Sequence, residues 1–76
     1  MNTNIENVLV FRSNIRTEED IEQISNALDA HPMIDTWSVD LTDADYVLRV
    51  ISCSLKECDV IKLIGGCGYT CEELGD

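Results

Sequence analysis

Cysteines are the residues of this chain with the most distinctive chemistry, and there are four of them among 76 residues. Cys67 and Cys71 are separated by three residues, a spacing that is by itself a weak signal, although a pair of thiolates suits a soft ion such as Cu(I). The alternative is packing, because free cysteine often behaves as a small buried hydrophobic residue. Of the other two, Cys58 is expected on or beside the buried face of a helix, and Cys53 at the end of a strand.

Glycines surround Cys67, at positions 65, 66 and 68. Gly65 and Gly66 each weaken a helical turn by up to about 1 kcal/mol relative to alanine. The segment is therefore either a frayed helix end or a mobile turn, from which Cys67 reaches outward or which a partner approaches closely.

Acidic residues form two groups whose carboxylates are candidate ligands for a hard cation such as Ca²⁺. The run 18–20 is Glu-Glu-Asp, but adjacent acids on one helical turn are usually solvated, and the spacing of a calcium loop is missing. Asp40, Asp43 and Asp45 lack the glycine and the distal glutamate of an EF-hand loop. A polar hairpin turn explains this second group better.

The charge balance excludes several classes of partner. Fifteen acidic residues stand against five basic ones, for a net charge of −10. Such a surface repels the phosphates of nucleic acids and of anionic membranes, so we expect it to bind neither. It favours encounters with a basic protein.

The chain shows no pattern typical of an enzyme. Its one histidine, His31, stands beside Pro32 without a nucleophile motif, and no glycine-rich phosphate loop follows a strand. The apolar run 8–11 is too short for a signal sequence, and no stretch approaches the ~18 apolar residues of a spanning helix. We expect a non-catalytic single domain over residues 1–76, located in the cytoplasm, where thiols or metal ligands are favoured over disulfides.

Apolar periodicity predicts six elements in the order β-α-β-β-α-β. Capping boxes at Thr17–Asp20 and Ser54–Glu57 mark the starts of two helices, and Gly68 suits the left-handed position just after the second. The strands are predicted over residues 8–13, 36–41, 46–51 and 69–74. This order indicates a ferredoxin-like α+β fold, in which an antiparallel four-stranded sheet carries two helices on one face.

The apolar stripe of Ile21, Ile24 and Leu28 and the turn Gly68-Tyr69 resemble the heavy-metal-associated domain of copper chaperones. The resemblance extends over nearly the whole chain. In that family a Met-x-Cys-x-x-Cys loop leads into the first helix and binds a soft metal ion, and the Gly-Tyr turn lies beside this loop. The resemblance therefore implies the same fold here, with the loop before the first helix and the turn after the second helix side by side at one end of the domain.

The metal loop itself is degenerate in this chain. Matched position by position, the family's methionine corresponds to Ile15, its first cysteine to Thr17 and its second cysteine to Asp20. Neither Thr17 nor Asp20 suits a soft cation. Both suit the cap of a helix, where a side-chain oxygen and an acidic charge are each stabilising.

Two hypotheses for function follow. The first is a protein-interaction module without a cofactor. Either its acidic surface binds a basic partner, or its wetter sheet face, which carries Val47, Arg49 and Ile51, pairs with a second copy of the chain. The second is a carrier of Cu(I) or another soft metal that uses Cys67 and Cys71, next to the degenerate loop.

Overall fold

The strands and helices of this chain follow from the alternation of its apolar side chains and from polar caps. A computed structural model describes residues 7–74. The six elements are β1 (Asn7–Ser13), α1 (Glu18–Ala30), β2 (Thr36–Val39), β3 (Leu48–Ser52), α2 (Glu57–Gly66) and β4 (Cys71–Glu73). The predicted order is present, so the ferredoxin-like α+β fold is confirmed.

The four strands form one antiparallel sheet in the order β2-β3-β1-β4. Strand β1 lies inside this sheet, where Leu9 pairs with Val50 of β3 and Ser13 pairs with Cys71 of β4. Because Ser13 ends β1 and Cys71 begins β4, the connections 14–17 and 67–70 meet at one end of the domain.

The core lies between one face of the sheet and the inner faces of both helices. Its buried residues alternate along the strands and recur three or four positions apart along the helices. They are Leu9, Phe11, Ile15, Ile24, Leu28, Leu48, Val50, Val60, Ile64 and Cys71. Each large apolar side chain buried there contributes about 1.5–3 kcal/mol.

Helix α1 begins with the predicted capping box. Thr17 Oγ1 accepts a hydrogen bond from the backbone N–H of Asp20 (3.1 Å), and Asp20 Oδ2 accepts one from the N–H of Thr17 (3.2 Å). The Thr17 cap is expected to stabilise the helix by about 1 kcal/mol.

The predicted capping box of the second helix is wrong. Helix α2 begins at Glu57, and it is Asp59 Oδ2 that accepts from the N–H of Lys56 (3.0 Å). The reason lies in the buried Ser52, whose Oγ accepts from the N–H groups of Ser54 and Leu55 (3.2 and 3.0 Å) and holds them in a turn outside the helix.

The β2–β3 connection also departs from the prediction. Strand β3 begins at Leu48 rather than at Tyr46, whose φ of +49° interrupts the alternation of side chains. Val47 is consequently only 4% exposed and does not belong to the wetter sheet face. Arg49 and Ile51 do lie on that face, as predicted, since the buried residues of β3 are those that alternate with them.

Three smaller predictions need correction. Strand β2 ends at Val39 instead of residue 41, because the N–H of Asp40 instead donates to the Val47 carbonyl (2.9 Å) and starts the loop. Strand β4 covers Cys71–Glu73 and not 69–74, because residues 69 and 70 belong to the turn. Cys58 is exposed on the first turn of α2, away from the core.

Helix α2 ends in a Schellman motif. Gly68 has a φ of +92°, as predicted from its position after the helix. Its N–H donates to the Gly65 carbonyl (3.1 Å), and the N–H of Tyr69 donates to the Ile64 carbonyl (3.2 Å). These two bonds close the helix end and fix the direction in which Tyr69 leaves it.

Candidate functional site

The site suggested by the sequence lies where the connection before α1 meets the turn after α2. Asn14 and Thr70 join the two segments: the N–H of Asn14 donates to the Thr70 carbonyl (3.2 Å), and the N–H of Thr70 donates to Asn14 Oδ1 (2.9 Å). The predicted proximity of these two segments is therefore present, and it extends the β1–β4 pairing beyond the sheet.

Asp20 and Tyr69 connect the same two segments through their side chains. The Tyr69 hydroxyl donates to Asp20 Oδ1 (2.8 Å). Asp20 Oδ2 accepts from the N–H groups of Arg16 (3.1 Å) and Thr17 (3.2 Å). We call this set of bonds, together with the Thr17 cap, the Asp20–Tyr69 lock.

The lock shifts the titration of both its acidic groups. The hydrogen bond from Tyr69, followed by the one from the Arg16 N–H, lowers the pKa of Asp20 below its usual value near 3.8. The same hydrogen bond raises the pKa of Tyr69 above its usual value near 10. The shifts agree in sign, because one contact favours an ionised Asp20 beside a neutral Tyr69.

Ile15, which matches the methionine of the family's loop, is a core residue. Its side chain is 0% exposed and belongs to the main apolar cluster. Its N–H donates to Ser13 Oγ (3.2 Å), and that hydroxyl in turn donates to the Tyr46 carbonyl (2.6 Å). The position therefore contributes packing to the domain.

The residues at the three loop positions do not fit a soft metal ion. Ile15 has no ligand atom, and Thr17 and Asp20 offer hard oxygens in place of thiolates. Both carboxylate oxygens of Asp20 and the hydroxyl of Thr17 already accept hydrogen bonds, from backbone N–H groups and from the Tyr69 hydroxyl.

The cysteines lie in different environments. Cys67 is half-buried at the C-cap of α2, whereas Cys71 is 8% exposed within the core. Burial raises the pKa of the Cys71 thiol to about 11, so it is protonated at neutral pH, while the thiolate is the form that binds metals. Cys53 and Cys58 are exposed.

Within residues 7–74, no three or more His, Cys, Asp or Glu side chains lie close enough together to hold a metal ion. A soft-metal site formed by Cys67 and Cys71 remains a prediction. It would require the buried Cys71 thiol to lose its proton, which its raised pKa opposes.

Two contacts of this domain were missed in the sequence. The Asp20–Tyr69 hydrogen bond joins residues 49 positions apart, and the family's arrangement of loop and turn was the signal that could have indicated it. The other contact joins Trp37 Nε1 to Asp29 Oδ1 (2.8 Å). Trp37 was correctly predicted to lie in a strand, but nothing local in the sequence pairs it with Asp29.

Two shallow hollows lie in the described surface. The first, of about 220 Å³, adjoins the lock and is lined by Arg12, Ser13, Asn14, Thr70, Cys71 and Glu72. The second, of about 310 Å³, lies between the end of α1 and the start of β2, and is lined by Leu28, Asp29, Ile34, Asp35, Thr36 and Trp37. We call the second one the Trp37 groove.

No protein-family model matches this chain, and no curated protein sequence matches it. Solved structures match over most of its length. The apo form of the HMA domain of a copper chaperone for superoxide dismutase is 19% identical, with a TM-score of 0.78 over 99% of this chain and 74% of that one. The copper(I)-loaded first domain of the human copper chaperone for SOD1 is 18% identical, with a TM-score of 0.78 over 95% of this chain and 97% of that one. Oxidized MerP from Ralstonia metallidurans is 8% identical, with a TM-score of 0.76 over 93% of this chain and 100% of that one.

Fold and site together define a small ferredoxin-like domain whose first loop is closed by hydrogen bonds. More particularly, the chain has the fold of the heavy-metal-associated domains of copper chaperones, which confirms at the level of the fold the resemblance found in the sequence. In the part of the chain that the structure describes, neither helix has the length and apolar character needed to cross a membrane.

Proposed function

We propose that this domain is a non-catalytic protein-interaction module that has the copper-chaperone fold but no metal loop. The observation that carries the proposal is the Asp20–Tyr69 lock. At the position that matches the family's second metal-binding cysteine, a carboxylate accepts three hydrogen bonds and stabilises the start of α1. A carboxylate that caps a helix thus stands where a metal carrier of this fold has a metal-binding thiolate.

The surface charge supports a basic protein as the partner. The chain has ten more acidic than basic residues, and across residues 7–74 only one ion pair lies within 4 Å, that of Arg12 with Glu72 (3.7 Å). Uncompensated charge of one sign accelerates association with a surface of the opposite sign, and salt weakens that association. A cytoplasmic location, as expected from the sequence, is part of this proposal.

Self-association through the open sheet face is the alternative mode of binding. Val8, which is 56% exposed, pairs with Ile51 on β3, and Val10 pairs with Arg49. These residues form a mixed apolar and basic surface. Two copies that each carry a charge of −10 repel one another, so added salt should promote this mode by screening, whereas it should weaken binding to a basic partner.

The soft-metal carrier remains the alternative function. It would use Cys67 and Cys71, which flank the turn beside the lock. The raised pKa of Cys71 opposes it, because thiolate formation at neutral pH would be costly. Because Cys67 is the more accessible of the two cysteines, a site in which a partner supplied a further thiolate would fit this turn best.

Competition for Cu(I) tests the proposal directly. Fully reduced protein is titrated against a chromogenic Cu(I) chelator, and the products are read by native mass spectrometry. We expect no competition from the natural chain. As a matched control, the double variant Thr17→Cys, Asp20→Cys restores Cys-x-x-Cys at the start of α1 and should compete with the chelator.

The opposite result would overturn the proposal. If the natural chain takes Cu(I) from the chelator, and Cys67→Ser abolishes this, the metal-carrier hypothesis replaces the interaction module. Competition that survives in Cys67→Ser would exclude the predicted cysteine pair and leave a metal site elsewhere in the domain.

A further inference from the structure

The Trp37 groove lies at the opposite end of α1 from the Asp20–Tyr69 lock. It has a volume of about 310 Å³ and opens between the last turn of α1 and the first residues of β2. Its apolar surface comes from the half-buried Ile34 and Trp37, which pack against the core, while Leu28 lies fully buried beneath them. The groove therefore has a rigid apolar wall that includes an aromatic ring.

Acidic groups line the other part of the groove. Asp29 Oδ1 accepts the hydrogen bond from Trp37 Nε1 (2.8 Å), which orients both the carboxylate and the indole. Asp35 is exposed, and its backbone is fixed by a hydrogen bond from its N–H to the Ile51 carbonyl (2.9 Å). Two anionic side chains thus stand beside one aromatic surface.

No basic residue lies among those that line the groove or in the last turn of α1. The last turn of α1 contains no basic residue, so the partial negative charge of the helix C-terminus adds to that of Asp29. The neighbouring His31 accepts a hydrogen bond at Nδ1 from the N–H of Met33 (3.1 Å). All six lining residues are acidic, apolar or uncharged.

We propose that the Trp37 groove binds an arginine or lysine side chain of the basic partner. The apolar stem of that side chain would lie against Trp37 and Ile34, and its cationic group would lie between the carboxylates of Asp29 and Asp35. An indole face attracts an organic cation, and an apolar wall suits the stem that carries it. A hydrated metal ion would use neither feature. The inference rests on the proposed interaction function and gives that function a specific contact.

Trp37 makes the groove directly observable, because it is the only tryptophan of the chain. The probe is an acetylated and amidated tetra-arginine peptide, added at low salt while Trp37 fluorescence and backbone amide NMR shifts are recorded. We expect a saturable change in fluorescence, amide shifts centred on residues 28–37, and weaker binding as sodium chloride is added.

Asparagine variants isolate the two carboxylates. Asp29→Asn keeps an oxygen that can accept from Trp37 Nε1, and Asp35→Asn leaves the backbone bond to Ile51 in place. Each should weaken peptide binding roughly two- to fivefold, as expected for a surface ion pair. Asp45→Asn is the matched control, because it removes the same charge from the β2–β3 connection at the other end of the sheet. Its effect should be smaller than that of either groove variant.

The outcomes separate this inference from the proposed function. Equal losses in Asp29→Asn, Asp35→Asn and Asp45→Asn would show general attraction to an acidic surface, which overturns the groove and leaves the interaction module standing. Binding whose amide shifts lie outside residues 28–37 has the same meaning. A complete lack of peptide binding at low salt would overturn both.

Discussion

The two ends of helix α1 both carry acidic side chains, but the surroundings of those side chains are opposite. At the start, Asp20 accepts three hydrogen bonds and lies at the positive end of the helix dipole. At the end, Asp29 lies at the negative end of the same dipole, and one hydrogen bond from Trp37 holds it. Charge that stabilises a helix is explained by folding, whereas charge placed against the dipole calls for a functional explanation.

This difference assigns a structural role to the start of α1 and a binding role to its end. The sequence had instead indicated the start of α1 as the functional site. The family resemblance directs attention to the loop of Ile15, Thr17 and Asp20, where the Asp20 carboxylate and the Thr17 hydroxyl already accept hydrogen bonds. The groove at Asp29 and Trp37 instead combines two exposed acidic residues with the half-buried Ile34 and Trp37. The comparison thus predicts that changes near the lock alter stability, and that changes in the groove alter binding.

The largest expected effect concerns Ile15. Ile15→Ala removes a fully buried side chain from the core, so the free energy of unfolding should fall by about 2–5 kcal/mol. Urea denaturation measures this, and Ile15→Met, which keeps the volume, should cost less than about 1.5 kcal/mol. If Ile15→Ala is as stable as the natural chain, the loop is not part of the core, and the comparison fails at its structural end.

The next effect distinguishes Cys71 from the exposed cysteines. A thiol pKa of about 11, against an ordinary value of 9.0, lowers the thiolate fraction at neutral pH by about a hundredfold. Iodoacetamide should therefore alkylate Cys53 and Cys58 quickly, and Cys71 at least that much more slowly, until guanidinium unfolds the chain. Peptide mass spectrometry reads each site. Rapid labelling of Cys71 in the folded protein would show an accessible thiolate and strengthen the metal-carrier alternative.

Much of the fold could be predicted because its signals are local. The alternation in β1, the capping box at Thr17 and the glycine after α2 each act within a few residues, and all three are present in the structure. The start of α2 could not be predicted in this way. Ser54 satisfies the local pattern, but a hydrogen bond to the buried Ser52 competes for its backbone N–H.

The site was less predictable because its contacts are tertiary. The resemblance identified Asp20 and Tyr69 separately and placed their segments side by side, yet the hydrogen bond between them depends on the Schellman turn that directs Tyr69. The Trp37–Asp29 contact depends on how α1 packs over β2. No spacing within the sequence reports that packing.

The lock should show itself in the titration of Asp20. Its pKa in the folded protein is lowered, so its contribution to stability is complete above the ordinary value of 3.8 and is lost as the pH falls through the lowered value. Tyr69→Phe removes the largest cause of this shift. The pKa of Asp20, followed by carboxyl-carbon NMR, should then rise toward 3.8. An unchanged pKa would show that the backbone N–H groups alone hold the carboxylate.

The smallest effect is the most direct test of the comparison, because one chemical change is made at both ends of α1. Glu18→Gln removes a charge from the first turn and should lower the free energy of unfolding by about 0.3–1 kcal/mol. Asp29→Asn removes a charge from the last turn and should raise it by a similar amount, since the Asn oxygen can still accept from Trp37. Chemical denaturation at low salt measures both, and high salt should reduce both effects.

Opposite signs of the two changes in stability would show that Asp29 is kept at a cost to stability, as a binding residue can be. A loss of stability in both variants would instead make Asp29 a structural residue, and the two ends of the helix would then be alike.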